Sequence, residues 1–447
     1  MSLRTLVGLS IWPALFLLVF AFSLRLLPAW PVMAVILPER AFSANFSPDA
    51  ALLMTQSSND VGQADVRFWR VPNGEEEAFG VAATERYVEF LPNGRLLLQR
   101  RYSVSDNHCQ LTFKEFSTGK EWLTVQSSDW FGGCMSRDGS TLAVINTDSG
   151  KHEVEIWNIM RRCRTAALVA CSPVALSPDG KILVYQAECG PVANNAPLLV
   201  FMDLASRREL GRIKMFDWTN SAPFAEFSPD GKLVAVRYPT PEKWNFQLID
   251  MGTFKPIAIP ELGPFAFAQG GAVLFAIEWA NAGKIHYWDV RTGDEGEIPL
   301  QGFQFGPGLF ESSPDGRFLA VEAISPPHPL AAYMSYLPSW EWLLNLCAGP
   351  QEEFSTCTVL LFDVKTRRPL ASFPKRGISP QPFSSDGSLL ALVSQDGRVE
   401  VCNVPPRKPI WLAASLAAAF VGVVWAVRFG YRRFRRLMPL SRRPIAT

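Results

Sequence analysis

Few residues in this chain of 447 have the types and spacing that chemistry needs. Its four histidines, His108, His152, His286 and His328, form no His-Glu-x-x-His or other ligand spacing, so each reads as a structural or surface side chain and metal catalysis is not expected. The eight cysteines (Cys109, Cys134, Cys163, Cys171, Cys189, Cys347, Cys357 and Cys402) include no Cys-x-x-Cys pair, which speaks against a bound metal. In an oxidising compartment the near pairs Cys163/Cys171 and Cys347/Cys357 are candidates to close a loop each; buried thiols are the other reading. No Gly-x-Ser-x-Gly elbow, phosphate-binding glycine loop, Gly-x-Gly-x-x-Gly or haem-attachment motif occurs. The expectation is therefore no cofactor, no metal and no catalysis.

The acids that do recur are Asp49, Asp138, Asp179, Asp230, Asp315 and Asp386, each in a Ser-Pro-Asp-Gly turn or a near variant. Their regularity argues for scaffold rather than catalysis. Proline presets φ at the second turn position, aspartate accepts backbone hydrogen bonds, and glycine takes the following φ > 0. The turn is followed each time by an apolar strand: NFSPDAALLMT (45–55), FLPNGRLLLQ (90–99), MSRDGSTLAVI (135–145), LSPDGKILVY (176–185), FSPDGKLVAV (227–236), SSPDGRFLAV (312–321) and FSSDGSLLALV (383–393). FAQGGAVLFAI (267–277) is a degenerate eighth copy. A second strand follows in every unit, as in VRFWRV (66–71), VEIWNI (154–159) and IHYWDVRTG (285–293), with Trp69, Trp157 and Trp288 at a packing position. Units of this kind cannot bury their faces alone and must pack against one another.

The FSPDG…LAV…IWDV…TG pattern resembles the WD40 repeat, or the related PD40-type repeat, over about residues 31 to 405. That resemblance implies an all-β fold, a β-propeller of four-stranded blades. The chain lacks the Gly-His dipeptide that opens a typical WD40 repeat, so that family's His/Asp/Ser/Trp hydrogen-bond network is expected to be absent. Eight strand sets predict eight blades; seven would follow if the weak unit at 90–119 were absorbed elsewhere. The last set stops after Val404 without a fourth strand, whereas the β-prone run Val32–Leu37 precedes the first set and has no other role. It is expected to complete the final blade and close the ring.

Two uncharged apolar segments flank this body. Leu6–Leu24, within an N-terminal segment of residues 1–30, has the length of a membrane anchor, with a cleaved signal segment as the alternative. Ile410–Val427, within a helix expected over 409–428, carries Trp411 and Trp425 near its ends. Residues 428–447 hold seven arginines and no acid, leaving 36 basic against 42 acidic residues elsewhere. The positive-inside bias then puts the tail, 429–447, in the cytoplasm and the propeller outside it, in the periplasm or extracellular space. A mildly acidic body also argues against nucleic acid as a partner. Strand direction places the entry from one apolar segment and the exit to the other on the face that carries the Ser-Pro-Asp-Gly turns, near the membrane.

One insertion stands out between the second and third strands of the seventh unit, residues 324–357. Long loops in compact domains are commonly functional, and Tyr333, Tyr336, Trp340 and Trp342 are amphipathic aromatics of the kind that anchor interfaces. They are the candidate partner-binding residues, on the membrane-distal face; a lid packing over its own blade is the competing reading. The function expected is a membrane-anchored interaction platform for an unidentified protein partner. The alternative is a ligand-sensing or enzymatic propeller, similar to the quinoprotein dehydrogenases in shape, that uses the central channel.

Overall fold

The computed structural model describes residues 3–26, 31–58, 64–79, 88–103, 108–128, 133–147, 152–187, 198–215, 223–239, 244–257, 265–277, 283–300, 304–324, 357–374, 378–394 and 397–437. The chain divides into two compact units, one over Pro31–Pro405 and one formed by Met1–Trp30 with Pro406–Thr447.

Period-two alternation between turns becomes eight antiparallel four-stranded sheets, the blades of a propeller. Within each, strands a to d run outward from the axis, and the a strands of neighbouring blades pack against one another. The weak unit does form a blade of its own, the second, from Val88–Phe90, Leu96–Ser103, His108–Glu115 and Glu121–Ser127. Blade 8 takes strands a, b and c from Ile378–Phe383, Leu389–Ser394 and Arg398–Asn403, and its strand d is Met33–Ile36. Met33 lies opposite Val401 and Val35 opposite Val399. The ring is thus closed by the strand expected to close it.

The core lies between blades, which is why strand b is apolar on both faces. Leu233, Val234, Ala235 and Val236 of blade 5 are all buried. Val234 and Val236 pack toward Phe201 of blade 4, whereas Leu233 and Ala235 pack toward Leu274 and Trp288 of blade 6. Met33, Val35, Val399 and Val401 of blade 8 share a cluster with Leu53 and Trp69 of blade 1. Trp69 is buried and donates its Nε1–H to Thr55 Oγ1 at 2.8 Å, whereas Trp288 donates to Glu295 and Trp157 to Glu155.

The turn aspartates hold the a–b hairpins, as their spacing suggests. In blade 5 Ser228 Oγ donates to Asp230 Oδ1 at 2.7 Å and accepts from the Leu233 amide, while Asp230 accepts from the Lys232 amide. The same Ser-to-Asp bond recurs at Asp49, Asp138, Asp179, Asp315 and Asp386. Blade 2 has no such serine; Asn93 accepts from the amides of Arg95 and Leu96 instead. In blade 6 the turn is the short 3-10 segment Gln269–Gly271. Blade 1 carries Ala50 where other turns have glycine, and Ala50 sits at φ 56°. A left-handed alanine costs about 1–2 kcal/mol, against about 0.4–1 kcal/mol of extra chain entropy for glycine. Ala50→Gly is expected to raise the unfolding midpoint slightly in a denaturant titration; a lowered midpoint would contradict this account of the turn.

One expected pairing fails on geometry. Cys163 opens strand d of blade 3 and Cys171 lies beyond its far end. The extended strand alone spans about 20 Å, and both cysteines are thiols, so no disulfide closes across it. Of the other pair, Cys357 begins strand c of blade 7 and Cys347 lies outside the described residues.

The helical unit contains α1 (Leu3–Leu26) and α2 (Ile410–Leu437), packed against each other. They run antiparallel: Lys408 Nζ donates to the Leu24 carbonyl at 2.9 Å, and the Arg428 guanidinium lies over the Trp12 ring. Small residues make the close approach possible, since Ala413 and Ala417, one turn apart, are the fully buried positions on α2. The rest of α2 leaves Trp411, Phe420, Val423, Trp425 and Phe429 exposed. Ile410–Tyr431 is long and apolar enough to cross a membrane. The N-terminal expectation is met only in part: among the described residues the corresponding apolar stretch of α1 is Trp12–Leu24, which is shorter.

Candidate ligand site in the central channel

Because each blade places strand a innermost, the residues two before the turn serine form a ring around the axis. In chain order they are Asn45, Glu89, Cys134, Ala175, Glu226, Ala266, Glu311 and Pro382. Register confirms their equivalence: Glu89 lies opposite Leu98, Glu226 opposite Ala235 and Glu311 opposite Ala320, the same position of strand b each time. Glu89 is ion-paired to Arg100 at 2.7 Å. Glu226 and Glu311 open instead into a cavity of about 930 Å³ on the axis, bounded by the a strands and a–b turns of blades 3 to 7. Its wall includes Phe224, Phe265, Val174 and Phe310, and Pro178, Pro229 and Pro314 of the turns rim it. Arg137 occupies the turn position held by those prolines and supplies the cavity's cation.

Phe224 is 51% exposed, and that surface is channel wall. The exposed surface of Glu226 likewise faces the channel. Burial, reinforced by the charge of Glu311 and opposed by that of Arg137, pushes Glu226 up from the ordinary 4.5 to about 7. Burial alone pushes Glu311 up to about 7. At neutral pH the cavity thus holds two carboxyls poised between their protonated and ionised forms.

These shifts set a pH dependence of stability. Between the ordinary 4.5 and about 7 the folded state holds protons on Glu226 and Glu311 that the unfolded chain has released, so stability falls as pH rises through that range. Asp49 and Asp386 act in the opposite direction. Hydrogen bonds from Ser47 and Ser384 hold them below the ordinary 3.8, and their contribution, complete above that value, is lost as pH falls through the folded pKa. A scan of thermal midpoint against pH is expected to peak between the two regimes, at mildly acidic pH. Glu226→Gln with Glu311→Gln is expected to flatten the limb above the peak; an unchanged limb would place the effect elsewhere.

Tyr333, Tyr336, Trp340 and Trp342 lie outside the described residues; the flanking Ile324 and Cys357 pair at the end of blade 7 opposite its a–b turn. Among the described residues no three His, Cys, Asp or Glu side chains come together to hold a metal. His286 stacks on Trp288, and its Nδ1 is 3.9 Å from Glu297, on the outer strands of blade 6. In the sequence Glu226 and Glu311 each look like the polar member of an alternating strand. Aligning the repeats on the turn serine was the signal that could have found them, since the polar face of an innermost strand meets a channel and not bulk water.

No protein-family model matches the chain, and neither does any curated protein sequence. Solved structures match its fold. One described as the eukaryotic initiation factor aligns at 14% identity over 81% of this chain and 84% of its own, with a TM-score of 0.54. The Dos1 propeller aligns at 12% identity over 86% and 97%, with a TM-score of 0.51. The computationally designed protein Ika8 aligns at 13% identity over 83% and 99%, with a TM-score of 0.54. The protein is an eight-bladed β-propeller.

Proposed function

We propose that this propeller is a membrane-anchored, WD40-like interaction platform that presents a binding surface to a protein partner and performs no catalysis of its own. The observation that carries the reading is α2, whose apolar stretch Ile410–Tyr431 exposes Trp411, Phe420 and Trp425. Exposed apolar side chains around a helix of this length suit lipid better than water. Seven arginines from Arg428 onward favour a cytoplasmic tail and an extracytoplasmic propeller. The antiparallel pairing of α1 and α2 fits both chain ends on one side of the bilayer. The repeated Ser-x-Asp turns, with tryptophan on several c strands, support the WD40-like assignment.

Within the propeller, strand d of blade 8 begins and strand c ends beside the a–b turn of that blade, so both connections leave from the turn face. The opposite face, where the paired Ile324 and Cys357 flank the insertion, is the one we assign to the partner. Co-purification from gently solubilised membranes tests this, with the full chain and a form lacking 325–356. Loss of a specific partner is expected on deletion, and identical partner sets would remove the loop from the account. Orientation is tested by labelling single engineered cysteines in the b–c loops with a membrane-impermeant maleimide in intact cells; protection of those sites would reverse it.

A further inference from the structure

We propose that the axial cavity is a binding site for a small organic cation with an apolar body, its ammonium held by Glu226 and Glu311 and its apolar part against Phe224 and Phe265. The inference stands on the propeller alone, apart from the platform reading.

Four observations converge on it. The cavity, about 930 Å³, has the size of a small-molecule site. Glu226 and Glu311 stand at the same repeat position two blades apart, separated by Ala266, and neither has a hydrogen-bond partner among the described residues. The third acid of the ring, Glu89, is already neutralised by Arg100, so the unused negative charge is concentrated at these two. Phe224 shows half its surface to the cavity, and Phe265 packs beside it with ring centroids 6.4 Å apart. Carboxylates drawn partly away from bulk water are normally paired, and two large apolar rings side by side on a cavity wall offer a surface that a hydrocarbon can cover. An ammonium between the carboxyls and a hydrocarbon against the rings would satisfy both.

The chemistry of the wall separates this ligand from others. The ionisable side chains facing Glu226 across the cavity, among the described residues, are Glu311 from blade 7, Cys134 from blade 3 and Arg137 from the turn of blade 3. Two carboxylates do not make the oxygen cage of six to eight ligands that a calcium ion takes. A phosphate or carboxylate alone would meet Arg137 but would face two acids. An amine meets both acids, and an aromatic face adds attraction for a cation.

Binding is coupled to protons. Near neutral pH part of the Glu226 and Glu311 population is protonated. An arriving ammonium selects the ionised carboxylates, so the protons leave to solvent while the ligand keeps its own. Affinity therefore rises with pH across the neutral range.

Calorimetric titration of the detergent-solubilised full chain tests the proposal, with phenethylammonium as the probe and uncharged 2-phenylethanol as its shape-matched control. The amine is expected to bind about tenfold or more tighter than the alcohol at about pH 8, to lose that preference at about pH 6, and to release protons on binding. The last is seen as a dependence of the heat on the buffer's ionisation enthalpy. The double variant Glu226→Gln/Glu311→Gln is expected to remove the preference for the amine, and Phe224→Ala to weaken both probes. Equal affinity for amine and alcohol in the wild-type protein, a preference that survives in a folded double variant, or no binding of the amine at millimolar concentration would each overturn the proposal. The wild-type comparison requires no variant to fold.

Discussion

Val35→Asp is expected to destabilise the whole propeller by about 3–5 kcal/mol, whereas Ile36→Asp, one residue along, is expected to change stability by less than about 0.5 kcal/mol. The two residues lie on opposite faces of the same short strand. Val35 is buried in the cluster that joins blade 8 to blade 1, among Val399, Val401, Leu53 and Trp69, while Ile36 is 75% exposed. An aspartate at Val35 would stand among the apolar side chains of that cluster, so its charge either stays unpaired in the core or forces the strand out. Forcing it out strips strand c of blade 8 of its outer partner and removes Met33 and Val35 from the seam with blade 1. Denaturant unfolding measures the difference between the two variants directly. Similar losses from both would mean that the strand contributes by main-chain pairing alone and not through its buried face.

A comparable loss, about 2–4 kcal/mol, is expected from Gly316→Ala, in the a–b turn of blade 7. Gly316 has φ 68°, a conformation that a side chain tolerates poorly. Its added Cβ would also stand 2.0 Å from the Gln269 amide nitrogen and 2.5 Å from the Gln269 Cα, so the obstacle is the backbone of blade 6 and not a side chain that can swing aside. Gly293 separates the two contributions. It has φ 74°, but no atom lies within 4 Å of the corresponding Cβ. Gly293→Ala is therefore expected to cost only the backbone conformation, about 1 kcal/mol. Thermal unfolding of both variants checks the contrast, and equal losses would show that conformation alone, without the approach of blade 6, governs Gly316.

The fold was legible because the signals that specify it are local. Ser-Pro-Asp-Gly sets a hairpin within a few residues, and the runs beside it alternate with period two, so each blade announces itself without reference to its neighbours. Blade 2 read weakly only because Asn93 does the work of the usual aspartate, with a leucine where the serine stands elsewhere. Blade 6 reads as degenerate because a 3-10 turn at Gln269–Gly271 closes its hairpin in place of Ser-x-Asp-Gly. The closing strand was legible by elimination, an apolar run with no partner at one end of the repeats and a blade short of a strand at the other. The candidate site was not legible, for the opposite reason. Glu226 and Glu311 lie far apart in sequence, and only curvature of the ring brings them to one cavity. A lone glutamate on an amphipathic strand carries no mark of facing an enclosed space. The cysteine pair Cys163/Cys171 shows the converse, two residues close along the chain that the extended strand between them holds apart.

The closing strand also bears on how such a chain comes to be folded. Met33–Ile36 is among the first parts of the propeller to leave the ribosome, yet its partner, Arg398–Asn403, is among the last. For most of synthesis this segment has an unpaired edge and two buried-type side chains, Met33 and Val35, with nothing to cover them. Blades 1 to 7 can assemble by adding each unit to the one before, but the final step brings together the two ends of the propeller, a contact of very large sequence separation and correspondingly slow formation. The nascent chain is thus an open arc with two sticky ends until translation is almost finished, and during that interval it is most exposed to pairing with the wrong strand, including the same strand of another copy.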